Sequence, residues 1–299
     1  MFVRNHRWLY IFLVIILFTG LVGTAPQPAD AVETPEETAL GGALYPQTLS
    51  AGYATGCAVQ TDGSLRCWGD DTYAQTTVPE GTFSQVSAGG GHVCAIRSTG
   101  ELVCWGRNTN GQATPPAGYF TQVSAGEAHT CALMDGGIVT CWGSNSDGQL
   151  DATLELFTQV SAGGAHTCAL LVDGTLDCWG SDVNDQATPP EGTFTSVSAG
   201  DSHTCGVRTD GSAACWGLND FGQSTPLAGY FTHVSAGGQH SCGLQSNGLL
   251  ACWGRNHLGQ ATPPEGLFTQ VSAGYGYTCA VQSDGKLACW GNNDVNQSH

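Results

Sequence analysis

Basic side chains are scarce in this 299-residue chain: 8 Lys and Arg stand against 25 Asp and Glu, a formal net charge of −17 at pH 7. A field of that sign repels nucleic acid and anionic membranes, so neither is expected as a partner. It favours solubility and a basic partner. Charged residues make up only 11% of the chain while 43 residues are glycine, which points to a tightly turned β-protein rather than a helical one. No nucleophile–base pair, paired-carboxylate motif or phosphate-cradling loop stands out, so no enzymatic activity and no cofactor is expected.

Long apolar runs are equally rare. One spans Trp8 to Val22, interrupted only by Thr19 and Gly20 and preceded by Arg4, His6 and Arg7. Its length and basic flank predict a secretory signal over residues 1–25, with cleavage after Ala25 or, in Ala29-Asp30-Ala31, after Ala31. A retained N-terminal anchor is the alternative. No cysteine lies near the run, which argues against a lipoprotein. Removing residues through Ala31 takes away Arg4, Arg7 and Asp30, leaving 6 basic against 24 acidic groups and a charge near −18. Residues 26–42, Pro-rich and acidic, read as a disordered spacer.

What fills residues 43–299 is one phrase repeated seven times at a spacing of 37 residues. It carries two cysteines ten residues apart: Cys57 and Cys67, Cys94 and Cys104, Cys131 and Cys141, Cys168 and Cys178, Cys205 and Cys215, Cys242 and Cys252, Cys279 and Cys289. A period of this length marks units that bury their apolar surface only by stacking. Seven pairs in an exported chain predict seven disulfides, one per unit. A zinc site is the alternative, because His92, His129, His166, His203 and His240 each precede the first cysteine by two residues. Thr55 and Tyr277 break the histidine pattern while the cysteine pairs never fail, which favours disulfides.

Each unit holds three β-like stretches, exemplified by Phe120 to Ala125, His129 to Leu133 and Gly137 to Trp142. An Asp-Gly or Asn-Gly turn joins the last two in most units. If the cysteines oppose one another, Asp62 sits mid-loop and Gly63 takes the left-handed position that ends a three-residue hairpin loop. Strand alternation then places Cys57, Val59, Leu65 and Cys67 on one face, with position 56, Ala58, Arg66 and Trp68 on the other. Position 56 and its equivalents, opposite the tryptophan, are always small. Both faces are largely apolar, so each sheet needs a neighbour on both sides, and a closed ring of sheets supplies them: an all-β, seven-bladed β-propeller. The last unit stops where the first begins, so the two ends are expected to meet and to remove exposed edges.

The pattern A-G-x-x-H-[ST]-x-A-L…D-G-x-[LV]-x-x-W-G-x-N-x-x-G-Q resembles the repeat of the RCC1-like superfamily across essentially all of residues 43–299. That resemblance implies a seven-bladed propeller. The short period and T-x-P endings look closest to the bacterial propeller-type β-lactamase inhibitory protein, which implies inhibition of a secreted or periplasmic enzyme. The cysteine pairs depart from both patterns.

Strand direction puts the Ser-Ala-Gly loops and the Trp-Gly-x-Asn-x-x-Gly-Gln loops on one side of the disc, with the Asp-Gly turns on the other. Within this chain the framework repeats while the first-named side varies, and loops on a rigid scaffold are where recognition resides. The candidate contact residues there are Tyr73, Arg107, Asn108, Asp182, Phe221, Arg255, His257, Tyr275 and Tyr277. Asp182 to Asp185 is too poor in ligands for calcium and reads as a turn, and the histidines read as framework residues that hydrogen-bond locally. The expected function is an exported, non-enzymatic, monomeric binding scaffold for a protein partner, secreted, at the cell surface or in a periplasm. A glycan-binding surface lectin or adhesin is the alternative.

Overall fold

The computed structural model describes residues 44–298; the expected signal or anchor segment and the spacer lie outside the described residues. Seven three-stranded antiparallel sheets follow one another in chain order, each pairing only its own strands, first with second and second with third. In the first blade these are Leu44–Ala51, Thr55–Gln60 and Leu65–Gly69, and in the last Phe268–Ala273, Tyr277–Gln282 and Leu287–Gly291. No strand is exchanged between the two ends, so closure rests on contacts between complete blades.

The hairpin register is the one the turn chemistry dictates. Cys57 opposes Cys67 and Gly56 opposes Trp68. The Gln60 amide donates to Ser64 O at 2.7 Å, and Gly63 closes the loop at φ +80° while its amide donates to Gln60 O. Counting back from that hydrogen-bonded pair, the cysteines fall on a non-hydrogen-bonded pair, where antiparallel Cα atoms approach most closely. Their Cα atoms lie 4.0–4.1 Å apart, and all seven disulfides are formed with no free cysteine among the described residues. This spends the thiolates that a zinc site would have required.

Each blade offers its disulfide face to the next blade. Cys57, Val59 and Leu65 pack with Phe83, Val86, Ala88 and Trp105 across the first boundary, and Cys131, Leu133 and Val139 with Phe157, Val160 and Trp179 across the third. Burying one such Phe contributes roughly 1.5–3 kcal/mol. The same pairing recurs between the remaining blades up to the last, where Cys242 and Leu244 meet Phe268 and Val271.

Three closed hydrogen-bond circuits run round the ring, and they explain the repeat phrase. In the first, the amide of the residue after Ser-Ala-Gly donates to the glycine carbonyl of the next blade at 3.0–3.2 Å, from Tyr53 to Gly89 through to Tyr275 to Gly52. In the second, each alanine amide donates to the serine Oγ of the preceding blade at 2.9–3.0 Å, the seam being Ala51 to Ser272. These bonds use amides on the inner edge that no strand pairs. In the third, each tryptophan Nε1–H donates to the backbone carbonyl of the preceding blade's Gln at 2.8–3.1 Å, ending with Trp68 to Gln297. All three cross the boundary between blades seven and one, so the disc is closed. What closure covers is faces; the third strands, five residues each, keep their outer edges at the circumference, where shortness limits stray pairing.

The first circuit leaves no room for a side chain at its glycine. A Cβ on Gly126 would collide with the Gly163 carbonyl and lie 2.6 Å from His129 Cε1. Gly126→Ala is expected to destabilise the fold by about 2–3 kcal/mol, the cost of overpacking a rigid site. Gly276→Ala, whose Cβ would meet nothing closer than Asn292 Cβ at 3.6 Å, is the neutral control. Chemical denaturation of both variants checks this, and equal midpoints would refute the steric reading.

Candidate functional site

The variable loops share one frame. In the loop after the second blade, Asn108 Oδ1 accepts the Ala113 amide and its Nδ2 donates to Thr114 Oγ1, both at 2.9 Å, while Gln112 Oε1 accepts the Asn110 amide. Asn219 and Asn256 repeat the arrangement, and Asp182 does so with Ala187 and Thr188. The polar atoms of Asn108 and Asp182 are therefore spent on holding their own loops. Both residues stay exposed on the loop face, and the Asp182 carboxylate is engaged as a turn.

Residues without framework partners form separate patches. The Arg107 guanidinium lies 5.8 Å from the Tyr73 ring centroid, and Arg255 lies 5.0 Å from that of Phe221. In each case the aromatic side chain belongs to one loop and the arginine to the next, which pre-orders both. Arg255 also donates to His257 Nδ1 at 2.9 Å and to Gln239 Oε1. Tyr73 and Phe221 remain almost half exposed, at 47% and 46%. The third patch sits on the disc axis: Tyr275 and Tyr53 stack with ring centroids 3.9 Å apart at the rim of a shallow axial cavity.

Tyr277 is different. It is fully buried, because it occupies the framework position that histidine holds in five other blades. It faces the neighbouring blade and is not a contact residue.

The five histidines are also fully enclosed, and they do not bond locally. Each Nε2 lies 2.7–2.9 Å from the hydroxyl of a residue 38 positions on, in the next blade: Thr130, Thr167, Thr204, Ser241 and Thr278. Each hydroxyl in turn donates to the carbonyl of a loop Gln, such as Gln112 for Thr130. Its oxygen then accepts the hydrogen bond from Nε2–H, and the buried Nδ1 has no acceptor to receive a second proton's hydrogen bond, which favours the neutral imidazole. Burial lowers the pKa to about 3 for His92, His166 and His203 and to about 4 for His129 and His240. With Nε2 committed and the thiols oxidised, these residues are framework, and no cluster of metal-ligating groups occurs among the described residues.

The opposite side is less bare than sequence alone suggests. The residue before the first-strand Phe packs on the preceding blade's turn glycine, as Tyr119 does on Gly100 and Tyr230 on Gly211. Tyr119, Leu156, Tyr230 and Leu267 stand exposed there with Ile138 and Val172 from the turns. The signal was available in the bulky residues preceding Phe120, Phe157, Phe231 and Phe268.

The family model described as Regulator of chromosome condensation (RCC1) repeat matches residues 47–75, 83–112, 120–149, 157–186, 194–223, 231–260 and 268–297. No curated protein matches the sequence. Among solved structures, the ectodomain of the Physcomitrella patens receptor kinase CR4 is 28% identical with a TM-score of 0.70, covering 84% of this chain and 74% of its own. The CRINKLY WD40 ectodomain of the Arabidopsis thaliana receptor kinase ACR4 is 25% identical with a TM-score of 0.70, covering 82% and 95%. Prp20p from Saccharomyces cerevisiae, at 17% identity and a TM-score of 0.68 over 85% and 83%, shares the fold.

Proposed function

The chain belongs to the RCC1 repeat family, and we propose that it is an exported, non-enzymatic scaffold that binds a protein partner through the face carrying the variable loops. One observation carries this reading. The hydrogen-bond circuits and loop frames account for the repeated polar residues, yet the Tyr73 and Phe221 rings stay nearly half exposed, each with a half-buried arginine, Arg107 or Arg255, ordered against it, and neither ring belongs to the circuits. Ordered aromatic and arginine side chains are the groups that dominate interface energetics. Seven disulfides fit an oxidising, extracellular setting. The likeness to two receptor-kinase ectodomains supports the same setting, and binding of Kap60 by yeast Prp20 shows a relative of this fold engaging a protein. The acidic charge favours a basic partner, and a secreted enzyme held inhibited is one form such a partner takes.

Affinity capture from native extracellular material, with the captured protein identified and its binding measured directly, tests the proposal. Replacing the Tyr73, Phe221 and Arg255 side chains by serine, with the Asn and Gln loop frames kept, is expected to weaken that binding at least a hundredfold while leaving the thermal midpoint nearly unchanged. Saturable binding on a glycan array with no protein captured would overturn the proposal in favour of a lectin.

A further inference from the structure

The axial mouth has a composition that the framework does not require. Seven positions, one per blade, ring it directly after Ser-Ala-Gly: Tyr53, Gly90, Glu127, Gly164, Asp201, Gly238 and Tyr275. Their amides are all consumed by the circuit of backbone bonds, so no amide there is left to neutralise a carboxylate. Three of the seven are glycines with no room for a side chain: a Cβ on Gly90, Gly164 or Gly238 would collide with the backbone carbonyl of the next rim residue, Glu127, Asp201 or Tyr275. The mouth is thereby kept open, as a shallow cavity of about 90 Å³, space for several waters.

Seven-fold order fixes how the four side chains oppose each other. Tyr275 and Tyr53 are adjacent, in blades seven and one, and stacked. Glu127 and Asp201 stand in blades three and five, flanking Gly164, which is diametrically across the axis from the tyrosine pair. The one ion pair among the described residues joins Lys286 to Asp284, far away on the turn side, so neither rim carboxylate has a cation. Partial burial and the neighbouring Glu127 hold the Asp201 carboxyl above its ordinary range. Burial, Tyr275 and the two carboxylates likewise hold the Tyr53 phenol protonated. Arg107 and Arg255 are engaged with aromatic rings in the outer loops.

We propose that this mouth is a receptor for a single guanidinium, presented by an arginine side chain of the partner and clasped between the Glu127 and Asp201 carboxylates and the Tyr53–Tyr275 pair. The inference rests on the reading of the loop face as a protein-binding surface and names the chemistry at its centre. A metal ion fits less well, because two carboxylates and two protonated phenols are too few anionic donors. An ammonium lacks the planar fork that engages carboxylate oxygens while lying against an aromatic ring.

The test uses the intact, oxidised protein and a blocked Gly-Arg-Gly peptide, followed by NMR signals of the Tyr53 and Tyr275 rings assigned through Tyr→Phe variants. Saturable shifts are expected in the millimolar range, weakening at least tenfold in a Glu127→Gln, Asp201→Asn double variant whose thermal midpoint is unchanged. The proposal falls if a Gly-Gln-Gly or Gly-Lys-Gly peptide binds as tightly, if the double variant binds as wild type, or if the ring signals stay still. Capture of the protein partner separates the two readings. Loss in the outer-loop replacement with full retention in the double variant leaves the scaffold standing and removes the axial receptor; retention in both removes the loop face itself.

Discussion

Lowering the pH from 7 to about 4.5 should unfold this protein even with every disulfide intact. Five imidazoles are enclosed between blades as neutral donors, with folded pKa values of about 3 to 4 against an ordinary 6.5. The sign follows from proton counting. Above pH 6.5 neither state binds a proton at these sites, so nothing is lost. Below it the unfolded chain takes up protons that the folded one refuses, and stability falls with pH until the folded groups titrate near 3 to 4. At pH 4.5 each site then costs a few kcal/mol and five together on the order of 10 kcal/mol, comparable with the whole stability of a domain. His233, also lowered by burial, acts in the same direction, as do Asp62, Asp71, Asp173, Asp210 and Asp284, exposed carboxylates lowered chiefly by hydrogen bonds to the turn and loop residues that follow them. Asp201, raised by burial, acts in the opposite direction, and partial neutralisation of the net charge relieves self-repulsion.

Near-ultraviolet circular dichroism against pH and the proton uptake on unfolding near pH 5 measure this directly. About five protons are expected from these histidines. An internal control exists in the chain itself: at the first boundary Thr55 and Val93 replace the histidine and the hydroxyl. Transplanting that pair as His92→Thr with Thr130→Val should move the acid midpoint to lower pH. A native dichroism signal persisting at pH 4, or an unchanged midpoint in the double variant, would defeat the argument.

The second large effect concerns the disulfides. Each closes a loop by joining residues ten apart, which in the chain-entropy model contributes roughly 2.5–3 kcal/mol. Seven give an upper bound near 20 kcal/mol, above the net stability expected of a domain. Blades of three strands, each depending on its neighbours for both faces, have little to offset that loss. Full reduction and alkylation in denaturant is expected to leave a chain that does not regain its near-ultraviolet spectrum. Reductant alone at neutral pH should act slowly, because the first cysteine of every pair is completely buried. A reduced and alkylated chain that melts within a few degrees of the oxidised one would show the clamps to be dispensable.

Much of this was legible in the residues because a strict repeat makes local rules count seven times over. The Asp-Gly loop length, the opposed cysteines and the small residue facing each tryptophan all follow from strand alternation and turn chemistry, which act within a few residues. The side of the disc on which each loop emerges follows from strand direction alone. The burial of Tyr277 was hidden, since an aromatic residue beside a loop looks the same in sequence whether it points to solvent or to the next blade. So was the engagement of Asn108 and Asp182, whose hydrogen bonds depend on how their loop folds back.

What the sequence determined by itself is the blade: its three strands, its register, its clamp and the requirement for neighbours on both faces. What only the tertiary structure decided is every relation between blades. Histidine occurs at a position only where the residue 38 further on carries a hydroxyl, and it is absent where that residue is Val93 or, across the seam from Tyr277, Gly56. The rule is written in the chain, but no local preference reveals it, because the two partners meet only when one blade is laid on the next. The axial mouth has the same origin: Tyr275, Tyr53, Glu127 and Asp201 are scattered through the sequence, and ring closure alone makes them neighbours.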